Sequence, residues 1–173
     1  MKRTTLGTRL ADLIRLLGGL EELNKQLAAV LEAKIGVMAR ADVAGMAQCE
    51  DNERKLVEQL RDRDGIRRQL MDSIGVELGL GPRVGRTLNL TQLGQRVPES
   101  ERPALSTAAD ALRRAVLQVR QVERVASSVS REVLDHLRWV FAAVKPRDEK
   151  PNVYSGDGVF IRSDAASMVE LVG

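Results

Sequence analysis

The sequence predicts an all-α protein: an elongated antiparallel helical hairpin plus a third long helix, bundled in coiled-coil fashion, with a flexible C-terminal tail. Three observations predict it. Apolar residues recur alternately three and four residues apart over long stretches, the spacing that keeps one stripe of a helix against a neighbour. Gly and Pro cluster at only a few places, where helices must end. Aromatic residues make up 2% of the 173 residues, so a core of Leu, Val and Ala packed between helices is the one the chain can build. The predicted bundle covers residues 1–144, with helices at about 8–38, 42–78, 88–95 (short) and 100–144, and the tail covers 145–173.

In the first helix the seam is Leu13, Leu16, Leu20, Leu23, Leu27 and Val30. Gly18-Gly19 argues locally against continuity, because glycine costs roughly 1 kcal/mol in a helix interior. Around Ala39-Arg40-Ala41 the large residues stop, and the Asp42 carboxylate is placed to accept from the free amides of a new helix. A tight reversal is expected there. The second seam, Met46, Cys49, Leu56, Leu60, Leu70, Ile74 and Leu78, runs into Gly75, Gly79, Gly81 and Pro82, which stop it. A short helix, Leu88 to Gln95, with Thr87 as its cap, is expected to lid one end of the hairpin.

Ser100 reads as the cap of the third long helix, with Pro103 tolerated in its first turn and Lys145-Pro146 ending it. Its seam holds Leu105, Ala109, Leu112, Val116, Val119, Ala126, Val133, Leu137, Val140 and Val144. Valine is a mediocre helix former, so burial of this stripe must sustain the helix. The seam falters at Glu123, Ser127, Ser128 and Ser130. The tail has Pro146, Pro151, Gly156 and Gly158 and no sustained period before Ala165-Ala166-Ser167-Met168-Val169-Glu170-Leu171-Val172, a stretch suited to a short amphipathic helix on an accepting surface.

Composition bears on chemistry too. One cysteine, Cys49, and one histidine, His136, leave no internal disulfide and no Cys or His set for zinc. No cofactor is expected. Trp139, Phe141, Tyr154 and Phe160 are too few to line a catalytic pocket, and no titratable cluster falls at a spacing that predicts a shared site. The glycine-rich run from Gly79 to Thr87 follows a helix and lacks the P-loop Lys, so it reads as a helix stop and a turn. No apolar segment suits a leader or a membrane span, which predicts a cytoplasmic protein. The formal net charge is only +3. Arg113, Arg120, Arg124, Arg131 and Arg138 fall near heptad spacing on the third helix. Lacking interleaved aromatics for base stacking, they read as a solvated flank or as interhelical ion pairs rather than a nucleic-acid surface.

The order of pieces resembles the FlgN family of flagellar type III export chaperones. The resembling elements are Leu-Leu-Gly-Gly-Leu-Glu-Glu-Leu early in the first helix, Lys34 and Asp42 around the turn, and Lys55-Leu56 followed by Arg67-Arg68 in the second. The short Thr87-Leu88 element, the final long helix and a tail with Tyr154 and Gly158 complete them. The resemblance implies a chaperone, not an enzyme, that holds terminal helices of flagellar hook-filament junction proteins and delivers them to the export gate and its ATPase. On that reading Leu112, Val116, Val119, Val122, Ala126, Val129, Val133 and Leu137 are the client-binding stripe. Val153, Tyr154 and Phe160 are the export-gate docking residues the resemblance implies. A homodimer through the same stripe, a coiled-coil adaptor without an export role and a nucleic-acid-binding bundle stand as alternatives.

Overall fold

A computed structural model describes residues 2–81 and 89–144, with side chains from Thr5 onward. Among the described residues there are four helices and no strand: α1 (Lys2–Ala39), α2 (Val43–Glu77), α3 (Leu90–Arg96) and α4 (Arg102–Val144). The chain divides into two compact units, Met1–Val133 and Leu134–Gly173, with the division inside α4.

Helix α1 runs unbroken through Gly18-Gly19 and begins before the expected Thr8. Its early start is explained by packing: Leu6 and Leu10 join the core below, and that burial sustains a turn whose sequence alone would fray. The seam is also wider than expected. Leu10, Leu17 and Leu31 are buried together with Leu13, Leu20, Leu23 and Leu27, whereas Leu16 and Val30 are only half-buried. At this end α1 meets residues of α2, α3 and α4 in one cluster, so it buries more than a single heptad line.

Helices α1 and α2 pair antiparallel along their length. Arg9 Nε meets Glu77 Oε1 at 3.0 Å near the open end, and Lys34 Nζ meets Glu53 Oε2 at 2.9 Å near the turn. Between them the Arg63 side chain crosses α1 at Gly19, over the space a Cβ would take. Asn24 occupies a buried position in the leucine seam, its Nδ2 donating to the Leu20 carbonyl at 2.8 Å. Polar residues at such positions weaken a seam but fix its register.

Two helix ends in the hairpin use the same device. After α1 the Ala41 amide donates to the Met38 carbonyl and the Asp42 amide to the Val37 carbonyl; after α2 the Gly79 amide donates to Val76 and the Leu80 amide to Gly75. Both are Schellman ends, with a left-handed residue in the C′ position: Ala41 at φ 53° and Gly79 at φ 73°. Asp42 then caps α2, its Oδ1 accepting from the Gly45 amide at 2.9 Å. A side chain at Gly45 would collide with that carboxylate and with Val37.

Helix α3 is capped by Asn89. Asn89 Oδ1 accepts from the Gln92 amide at 2.7 Å and Gln92 Oε1 accepts from the Asn89 amide at 3.2 Å, two reciprocal bonds that fix the start at Leu90. Thr87, the expected cap, lies outside the described residues. Helix α4 starts at Arg102 rather than Ser100. Glu101 closes a turn onto the Pro98 carbonyl and its own carbonyl accepts from Leu105, so the first helical bond is made without the Ser100 side chain. Pro103 falls where its missing N–H would have no partner.

Leu93 and Val97 bring α3 and its exit into one buried cluster with Leu10, Leu13, Leu17, Met71, Ile74 and Leu105. This cluster closes the hairpin at the end opposite its turn. Met71, beside the expected Leu70, is the α2 residue that reaches its centre, while Leu70 packs only partly buried against it. Each fully buried leucine there contributes roughly 1.5–3 kcal/mol over exposure.

Candidate partner-binding helix

Leu105 sits in that cluster, and farther along, Ser130 Oγ donates to the Ala126 carbonyl at 2.8 Å while lying 3.2 Å from Met38 Sδ. Within the first unit α4 therefore runs in the same direction as α1, from the open end of the hairpin toward its turn. Leu105, Ala108, Leu112, Ala115, Val119, Val122, Ala126 and Val129 recur three and four residues apart. Leu105, Ala115 and Ala126 are buried and the others half-buried. The two later buried positions, Ala115 and Ala126, are small residues.

The eight residues expected in the client stripe are thus not equivalent. Ala126 is 8% exposed, and Leu112, Val116, Val119, Val122 and Val129 are half-buried. Val133 is 36% exposed and Leu137 is 44% exposed. No residue from Arg131 to Trp139 is even half-buried. In the second unit, Leu134, Leu137, Phe141 and Val144 recur at three, four and three residues and are all exposed, Phe141 and Val144 by about 70%. Leu134 and Phe141 were absent from the expected seam. Their signal was available in that same spacing, which places them beside Leu137 on the helix surface.

Among the described residues the arginine line does not form the interhelical ion pairs expected as one of its two readings. Arg113 pairs with Asp110 at 2.8 Å and Arg138 with Asp135 at 3.1 Å, each within α4. Arg120, Arg124 and Arg131 have no carboxylate partner among the described residues, and Arg131 rests a guanidinium nitrogen 3.3 Å from Ser127 Oγ. Together with Glu123, Ser127 and Ser128 they line a shallow recess on α4. In the hairpin, Arg9–Glu77 and Lys34–Glu53 join the two helices, while Lys25–Glu21 and the pairs of Arg67 and Arg68 with Asp64 lie within one helix. Burial pushes the Asp64 carboxyl up, but the hydrogen bonds and charges of Arg67 and Arg68 outweigh it and hold Asp64 below the ordinary carboxylate value.

His136 stacks against Trp139, ring centroids 6.2 Å apart. Cys49 is a half-buried free thiol in the α2 seam. Among the described residues, no group of three His, Cys, Asp or Glu side chains is placed to hold a metal, and no helix is long and apolar enough to cross a membrane. Val153, Tyr154 and Phe160 lie outside the described residues.

The family model described as FlgN protein matches residues 1–159, a stretch that takes in all four helices together with Val153 and Tyr154 and stops just before Phe160. No curated protein and no solved structure matches the chain. The chain belongs to the FlgN family, a family of flagellar export chaperones.

Proposed function

We propose that the chain is a cytoplasmic chaperone that holds amphipathic terminal helices of hook-filament junction proteins along α4 and delivers them to the export gate or its ATPase. The supporting observation is the rise in exposure along one apolar side of α4, from the buried Ala126 to Val133 and Leu137. A secreted subunit's terminal helix, unpaired until assembly, exposes a stripe of the same period and aggregates unless that stripe is covered. A helix whose own stripe is open supplies three- and four-spaced contacts in return. Leu112, Val116, Val119, Val122, Ala126, Val129, Val133 and Leu137 form the client-binding side, the half-buried members becoming contacts as the client settles beside the hairpin.

A double variant, Val133→Glu with Leu137→Glu, tests this. Both positions are exposed, so circular dichroism and melting should stay as in the wild type. Capture of a junction protein's terminal segment should fall by about tenfold or more, the scale of losing one or two buried apolar contacts. Undiminished capture by the folded variant removes the stripe assignment. A second copy of the chain is the competing occupant, and on this reading any self-association gives way when the client segment is added.

Delivery is assigned to the tail. Val153, Tyr154 and Phe160 are the docking residues for the gate, and Tyr154 is the chain's one tyrosine. Tyr154→Ala should weaken gate binding while leaving client capture intact; full-strength gate binding would end that assignment.

A further inference from the structure

We infer that Arg120, Arg124 and Arg131, with Ser127 and Ser128, form a carboxylate-reading strip on α4, so that the helix seated there is acidic along one flank. The inference deepens the chaperone reading and rests on α4 being the client surface. Four observations carry it. At 3.6 residues per turn the arginines at 113, 120, 124, 131 and 138 lie within roughly 40° of one line along the helix. The two at the ends are paired to aspartates of α4, but the three in the middle have no carboxylate partner among the described residues. Those three share a recess with two serine hydroxyls, and Glu123, the one carboxylate in it, forms no ion pair with them. Finally, the strip adjoins the apolar stripe: Arg120 follows Val116 by four residues, the spacing of touching neighbours on a helix.

The guanidinium fork matches a carboxylate in two parallel hydrogen bonds, and serine hydroxyls adapt as donors beside it. A partner helix lying on Val116, Val119 and Val133 presents its flank to this line. Carboxylates spaced three or four residues apart would meet Arg120, Arg124 and Arg131 in turn. A second copy of the same helix fits poorly, because its own arginine line would face the strip. Rim pairs of this kind set which helix binds, and in which direction, more than how tightly.

The test uses the full chain and two designed helical peptides with identical leucine seams, one with a row of glutamates along a flank and the other with glutamines there. Binding is read by fluorescence anisotropy at low and high salt. The glutamate peptide should bind about tenfold more tightly at low salt, as expected for three exposed pairs. That preference should vanish at high salt and in a variant carrying Arg120→Gln, Arg124→Gln and Arg131→Gln. Equal binding of the two peptides by the wild type, or a preference that survives in the triple variant, overturns the inference. So does tighter binding of a single-stranded oligonucleotide than of the glutamate peptide, which would make the strip a phosphate surface. The double variant Val133→Glu with Leu137→Glu keeps the two readings apart: if both peptides bind it as before, the apolar stripe falls, while the glutamate preference still decides the strip.

Discussion

Leu13 in α1 and Leu137 in α4 belong to seams of the same period, yet Leu13 is fully buried and Leu137 is nearly half exposed. Around Leu13 three other helical segments converge, with Met71 and Ile74 from α2, Leu93 from α3 and Leu105 from α4. Around Leu137 no comparable enclosure exists among the described residues. Spacing specifies that a helix will have a partner on one side; whether that partner belongs to the same chain depends on whether the rest of the chain can reach it. Here the open end of the hairpin is closed by residues of α3 and α4, whereas Leu134, Leu137, Phe141 and Val144 are exposed.

The most demanding way to break this comparison is to shorten both leucines. Leu13→Ala should destabilise by about 2–5 kcal/mol, through lost transfer energy and the cavity left behind, whereas Leu137→Ala should stay within about 0.5 kcal/mol. Denaturant unfolding of the two variants measures the difference. Similar losses would mean that Leu137 is enclosed in the folded protein and that the open side of α4 is wrongly assigned.

The two Schellman ends offer a subtler contrast inside the hairpin. Ala41 adopts a left-handed conformation that costs an ordinary residue about 1–2 kcal/mol, while Gly79 adopts it freely. Gly79→Ala should therefore lose about 1 kcal/mol of stability, and Ala41→Gly should gain up to about 1 kcal/mol, part of the relief being offset by glycine's larger unfolded-state entropy. Thermal melts of both variants check the opposite signs. If Ala41→Gly were destabilising, the turn would not be strained as described.

Much of the fold was legible in the residues. The three seams, the Asp42 cap and the glycine stop after α2 all follow from local rules that tertiary contacts reinforce. What escaped was what depends on neighbours. Leu10, Leu17 and Leu31 fall outside a single heptad line, and their burial comes from neighbours that spacing alone does not reveal. Thr87 and Asn89 are both capping residue types, but only Asn89 has a Gln three residues on to return the hydrogen bond. The stripe on α4 is legible as a stripe, but not the exposure of each residue in it, which depends on tertiary neighbours.

Gly18-Gly19 sharpens the point at smaller scale. With nothing within 4 Å of a Cβ at Gly18, Gly18→Ala should stabilise α1 by about 0.5–1 kcal/mol through helix propensity alone. A destabilised Gly18→Ala protein would show that α1 needs flexibility or a close approach at that point. Smallest of all is the acid response of α2. Because Asp64 is held below the ordinary carboxylate value, its contribution to stability is complete above the unfolded-state value and disappears as pH falls through the lower folded-state value. Stability measured from neutral pH down into the acid range should drop less steeply in Asp64→Asn than in the wild type. Equal slopes would place Asp64 outside the acid response.

The claim that α4 is the client surface is tested most directly by hydrogen exchange on the full chain, with and without a junction protein's terminal segment. The account predicts slowed exchange along α4 from Leu112 onward, with the amides of Leu10 to Leu31 in α1 unchanged. Protection confined to α1 and α2, with α4 exchanging as in the free protein, would contradict it.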